Sequence, residues 1–277
     1  MRRKPLRLAV VFVALLAATQ SEAQTPVGGA FGSDRPWEIV DNSFLIEEAF
    51  NQEEGIFQNI FSWTLRRHGE WNATFTQEWP VPGKKHQFSY TIPLSSNEVA
   101  VGIDDVFINY RYQLIDETAK RPALAPRLSM IVPTGNADTG LGTGAVGLQV
   151  NLAASKQFGN LYVHANVGST WFPRIDSRTS GRHVSLFSPL VGGSVIWRVR
   201  PMLNAMFESL AEFDQLIDET GATIREPTVT MSPGLRYGWN IGRHQIVGGA
   251  AVPVSRSAGL TNVALLAYFS YELPFRE

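Results

Sequence analysis

The stretch GEWNATFTQEW, from Gly69 to Trp79, places Trp71, Ala73, Phe75 and Trp79 on one parity and Asn72, Thr74, Thr76 and Glu78 on the other. Strict alternation marks a β-strand with one apolar and one polar face. Trp71 and Trp79 lie eight residues apart. At ~3.3 Å per residue that is about 26 Å of strand. A tilt of about 40° reduces the vertical span to about 20 Å, close to the ~25 Å apolar band of a transmembrane barrel. Each tryptophan then falls near one membrane interface, where an amphipathic ring is favoured. The opposite face carries an amide, two threonines and a carboxylate, which suits a polar lumen better than a dry core.

The same pattern repeats along the chain. From Ile56 to Phe275 we read about 12 strands of roughly ten residues separated by turn chemistry. They cover residues 56–65, 70–79, 85–93, 104–114, 127–132, 144–155, 160–171, 190–199, 202–213, 229–239, 244–254 and 263–275. In the last of them Val263, Leu265, Ala267, Phe269, Tyr271, Leu273 and Phe275 alternate without a break. A final strand ending in an aromatic resembles the signal read by the outer-membrane barrel assembly machinery, although Arg276 and Glu277 follow it here. Connections around VPGK, KQFG, RP and IGR are tight. Those around LSSNEVAVG, TGNADTGLGT, PRIDSRTSGRH, DQLIDETGATIRE and SRSAGL are longer, the asymmetry expected of short periplasmic turns and longer outer loops. RHGE and IDETAKRPALA break that rule. The fold expected is all-β: a transmembrane antiparallel up-and-down barrel of bacterial outer-membrane type.

Bulk composition agrees. The chain has 277 residues, 18% charged and 44% hydrophobic, with a formal net charge of -1 and no cysteine. Without a basic excess there is no footprint for nucleic acid. Without cysteine there is no disulfide, thiolate metal site or thiol chemistry. Arg2, Arg3, Lys4 and Arg7 precede the apolar run LAVVFVALLAA, and Ser21 and Ala23 follow as small residues. This reads as a cleaved signal peptide over residues 1–23. Its apolar run is shorter than the ~20 residues a spanning helix needs. Residues 24–54 form an N-terminal segment carrying Glu47, Glu48, Glu53 and Glu54, expected either to plug the lumen or to lie in the periplasm as a tail or partial strand. The barrel occupies 55–277.

Several motifs compete for a role. GTGAVG, from Gly142 to Gly147, matches G-x-G-x-x-G, but a loop precedes it and a strand follows, so it reads as turn chemistry and no cofactor is expected. NAT at Asn72 matches a glycosylation acceptor inside a strand and is discounted. His68, His86, His164, His183 and His244 have no metal-ligand spacing, so no metal is expected. Parity puts Asp105, Asn109, Arg111, His164, Asn166, Glu208, Glu212 and Arg236 in the lumen as candidates for a solute path. Glu208 and Glu212 share a face, with Arg111 and Arg236 as expected partners across the lumen. His164 with a serine would be the element of a lipid-modifying enzyme, but no G-x-S-x-G elbow exists and no catalytic residue is assigned. Trp71, Trp79, Tyr271 and Phe275 are the expected interface aromatics.

NSFLIEEAFNQEEG, VPTGNADTGLGTG and LQVNLAASKQFGNLYVHANVG together resemble the bacterial outer-membrane family named after the meta-pathway of phenol degradation. The resemblance runs from Asn42 to Phe275. It implies an outer-membrane barrel for passive uptake of small aromatic or hydrophobic compounds, and no enzyme. The partners then expected are outer-membrane lipids, the assembly machinery and a small-molecule solute. The competing readings are a lipid-modifying enzyme, an adhesion or structural barrel, and a soluble secreted sandwich.

Overall fold

The computed structural model describes residues 38, 39, 42–67, 69–81, 83–176, 181, 183–218 and 220–275. The signal-peptide reading over residues 1–23 lies outside them. The strands are β1 (Ile56–Arg66), β2 (Trp71–Pro80), β3 (His86–Ser96), β4 (Val101–Ile103), β5 (Val106–Tyr112), β6 (Ala123–Val132), β7 (Gly147–Phe158) and β8 (Leu161–Asp176). They continue with β9 (His183–Arg200), β10 (Leu203–Ile217), β11 (Thr223–Ile241), β12 (His244–Ala251), β13 (Val254–Ser257) and β14 (Leu260–Pro274).

Consecutive staves of the wall pair antiparallel, and β1 pairs with β14 from Ile56↔Pro274 to Arg66↔Ala264, which closes the sheet. Two staves are split. β4 and β5 form one, interrupted at Asp104 and Asp105; β12 and β13 form another, interrupted at Val252 and Pro253. The 14 segments therefore make a closed barrel of 12 staves, the expected count. Proline has no N–H for the ladder, which accounts for the break at Pro253. Val252 N still donates to Pro233 O, and Pro253 O accepts from Ala264 N. A closed barrel leaves no edge, so the backbone is paired without help from solvent.

Parity follows the sequence. Phe61, Trp63, Phe75, Trp79, Val263, Leu265, Phe269 and Phe275 point outward, while Ser62, Thr74, Thr76, Glu78, Ser270 and Glu272 point inward. Aromatic rings meet across strands on the outer face. Phe57 lies between Trp79 and Phe275, with centroids at 5.8 and 4.6 Å, and His244 stacks on Tyr271 at 5.6 Å. These belong to the terminal end of the barrel, where β1 begins and β14 finishes. Trp71 sits toward the opposite, distal end, opposite Leu65 and Ser96.

The distal loops are shorter than the sequence suggests. β8, β9, β10 and β11 run on: β8 reaches Asp176 and β9 starts at His183, and DQLIDETGATIRE is largely strand, with Asp218 and Ala222 closing a tight hairpin. SRSAGL turns at Ala258 and Gly259 alone, both with positive φ. The reason is that alternation records only the part of a strand facing a lipid band. Beyond it both faces meet water, the apolar signal ends, and backbone pairing continues. Residues 133–146 do form a long connection, with a 3-10 turn at Ala137–Thr139. Gly142 and Gly144 adopt positive φ there, as turn glycines.

Candidate functional site

The lumen is occupied. Residues 42–55 form no strand and lie inside the barrel wall. A chain without regular structure carries backbone donors and acceptors that need partners once buried. Inward side chains of the wall supply them. On β10, Glu208 accepts from Leu45 N at 2.8 Å and Ile46 N at 3.1 Å. On β8, Asn166 bonds both Glu47 N at 2.8 Å and Glu47 O at 2.9 Å. On β7, Ser155 accepts from Ala49 N at 2.7 Å. Gln113 bonds Asn51 N at 3.2 Å and Ala49 O at 2.8 Å, and Gln87 accepts from Gln52 N at 2.7 Å.

Arginines complete the seat. Arg111 donates from Nε to Asn51 Oδ1 at 3.0 Å, from Nη1 to Glu48 O at 3.2 Å, and from Nη2 to Phe50 O at 2.5 Å. Its expected acidic partners, Glu208 and Glu212, are replaced by this segment, because its donors suit three adjacent acceptors of a folded chain. Arg236 donates to Asn42 O at 2.7 Å. Arg127 grips Glu47 with Nε at 2.9 and 3.0 Å and Nη2 at 2.5 Å. Burial alone would raise the Glu47 carboxyl. The Arg127 guanidinium, with Arg111 further away, more than offsets this and holds it below the ordinary value of 4.5.

Apolar side chains of the segment seat over glycines. A Cβ on Gly192 would lie 2.4 Å from Ile46 Cδ1, and one on Gly249 would lie 2.4 Å from Phe44 Cζ. Gly234 likewise faces Phe44, and Gly238 faces Ile39. Ile46 is 1% exposed. At the terminal end, Arg198 pairs with Glu38 at 2.8 Å, and Gln245 donates to Glu38 O at 3.0 Å. The segment thus rises from the terminal end beside β9–β12, crosses near mid-wall at Glu208 and Asn166, and descends past Ser155, Gln113 and Gln87 to β1.

The segment leans on one side of the barrel. On the other it leaves a chamber of about 320 Å³, lined by Ser62, Thr74, Thr76, Ser89 and Thr91 of the wall and by residues 42–47. Toward the distal end a second space of about 420 Å³ opens, with Arg66, Asn72 and Asp104 in its lining; Phe107 lines both. Beyond Glu78 and Arg111 at the terminal side, the next space holds only about 10 Å³ between Gln52, Gln58 and Glu272. That is at most the room for one water.

The remaining sequence candidates divide. Asn109 donates to Ser89 Oγ at 3.2 Å and accepts from Arg127 at 3.1 Å, so it belongs to the chamber. His164 bonds Ser155 Oγ through Nδ1 at 2.7 Å, beneath Ala49. Asp105 belongs to the distal loop: it accepts from Gly135 N at 3.1 Å, Thr143 N at 2.7 Å and Thr143 Oγ1 at 2.8 Å. Glu212 shares the inward parity of Glu208 on β10, two repeats of the pleat further along. Glu208 turns Oε1 to two backbone amides of the segment, while Glu212 makes no such contact among the described residues, so the two do not act as one acidic stripe. Arg127, Gln87, Gln113 and Ser155 were not singled out from the sequence. Their inward parity was readable; their common partner was not.

No family model matches the chain, and no curated protein matches it. Solved structures do. A COG4313 outer membrane channel from Pseudomonas putida F1 superposes with a TM-score of 0.63 at 12% identity, covering 81% of this chain and 98% of that one. The NanC porin superposes with a TM-score of 0.55 at 10% identity, covering 78% of this chain and 100% of that one. At these identities the likeness concerns the fold: a barrel of outer-membrane porin and channel type.

Proposed function

We propose that this protein is an outer-membrane channel for passive movement of small solutes, narrowed by residues 42–55. The observation that carries this is the off-centre seat of the segment, which leaves open space beside it and narrows the terminal side to about 10 Å³ between Gln52, Gln58 and Glu272. The terminal end then faces the periplasm, and the belts of Trp79, Tyr271 and Phe275 on one side and Trp71 on the other sit at the two interfaces. Aromatic or hydrophobic cargo is implied by the sequence resemblance alone. The lipid-enzyme reading has one element, Ser155 with His164, but Ala49 covers it and its hydroxyl already serves the segment.

Planar-bilayer recording of the refolded mature chain tests the proposal. Discrete conductance steps that grow several-fold when residues 24–54 are deleted support it. A folded barrel that stays silent in both forms overturns it.

A further inference from the structure

The chamber's lining is uneven in its chemistry. β1, β2 and β3 present a ladder of hydroxyls: Ser62 bonds Thr74 at 2.7 Å, and Thr76 bonds Thr91 at 2.8 Å. Within each pair one proton is used, so the other proton and several lone pairs face the chamber. Ser89 adds a third position and accepts from Asn109. Two acids, Glu47 and Glu78, and two arginines, Arg111 and Arg127, line the same space, so its formal charges cancel. The arginine donors are directed at residues 47–51 and at wall amides. Phe107 flanks the ladder and offers apolar surface, while Tyr268 is buried against Phe44.

An ion entering this chamber would lose hydration without gaining a free counter-charge. A purely apolar solute would strip water from the hydroxyls and return nothing. A solute with several hydroxyls satisfies the ladder from one face and packs its C–H face on the Phe107 ring. The chamber's 320 Å³ corresponds to about ten waters at ~30 Å³ each, which admits a single small ring. We propose that the chamber is a binding step for small uncharged polyhydroxylated solutes of monosaccharide size. This rests on the channel reading above and names the class of solute that reading leaves open.

The test uses the full mature chain in liposomes, with flux of L-arabinose, benzoate and choline compared alongside potassium chloride conductance. Arabinose should exceed the two ions. The Thr76→Val, Thr91→Val double variant, nearly isosteric, should lower arabinose flux about five- to tenfold, since each lost hydroxyl leaves a solute group unpaired. The Thr76→Ser, Thr91→Ser variant should restore it. Benzoate or choline passing as fast as arabinose, or a valine variant that transports arabinose like the parent, overturns the inference and leaves the channel intact. Absence of both salt conductance and solute flux, with the barrel folded, overturns the channel reading and the inference with it.

Discussion

Arg127 on β6 and Glu47 on the lumen segment meet side on, guanidinium edge to carboxylate, with the nearest contact at 2.5 Å. The strand and the segment come from positions 80 residues apart. This pair fixes the crossing point of the segment at the edge of the open chamber. Glu47→Gln should weaken the seat by about 1.5–3 kcal/mol, the range for a hydrogen bond to a charged group. The readout is single-channel conductance, which should rise or flicker more often while the folded barrel persists.

The same carboxylate makes the seat sensitive to acid. Its folded value lies below 4.5, so it contributes stability above the unfolded value and loses it as pH falls through the folded one. Conductance should therefore increase as the pH drops below 4.5, and Glu47→Gln should flatten that response. A Glu47→Gln protein with the parent's acid response would assign the effect to another group.

The glycine sockets are a separate handle on the segment. At Gly192 even a first side-chain carbon crowds Ile46, and valine adds two more. Gly192→Val and Gly249→Leu should each displace the segment while sparing the wall's backbone ladder. The expected result is higher conductance with an unchanged heat-modifiable band on gels. Both variants conducting like the parent would mean that the apolar contacts do not hold the segment.

Asp105 should behave differently from Arg111 although both were expected to line a solute path. Asp105→Ala removes the acceptor for Gly135 N, Thr143 N and the Thr143 hydroxyl. The loop of residues 133–146 should become open to protease, with little change in the conductance ceiling. Arg111→Ala should do the reverse, releasing residues 48–51 and raising conductance. Limited proteolysis beside bilayer recording separates the two.

Phe275 stacks on Phe57 with planes 10° apart and ties the last strand to the first. Phe275→Ala should slow barrel closure and cost about 0.5–1.5 kcal/mol beyond lost burial, the range for an aromatic pair. Refolding kinetics into detergent, followed by the shift of the folded band, would reveal it.

The barrel was legible because its physics is local. A strand that faces lipid on one side and water on the other must alternate, and residues 71–79, with Trp71 and Trp79 at the ends, and 263–275, finishing in Phe275, do so. Parity alone also places Asn109, Arg111, His164, Asn166, Glu208 and Arg236 inward. The long loop was misjudged at DQLIDETGATIRE, since a strand in water on both faces leaves no periodic trace.

What the inward residues do was decided only by tertiary structure. The sequence showed four glutamates in the N-terminal segment and two arginines in the wall, and both plug and tail were open readings. Irregular chain has no period to read, and its position depends on contacts between residues more than 100 apart, such as Glu208 with Leu45. Alternation determined the wall and its facing. The fit of residues 42–55 to glycine sockets and lumen amides determined the size, the place and the lining of what remains open.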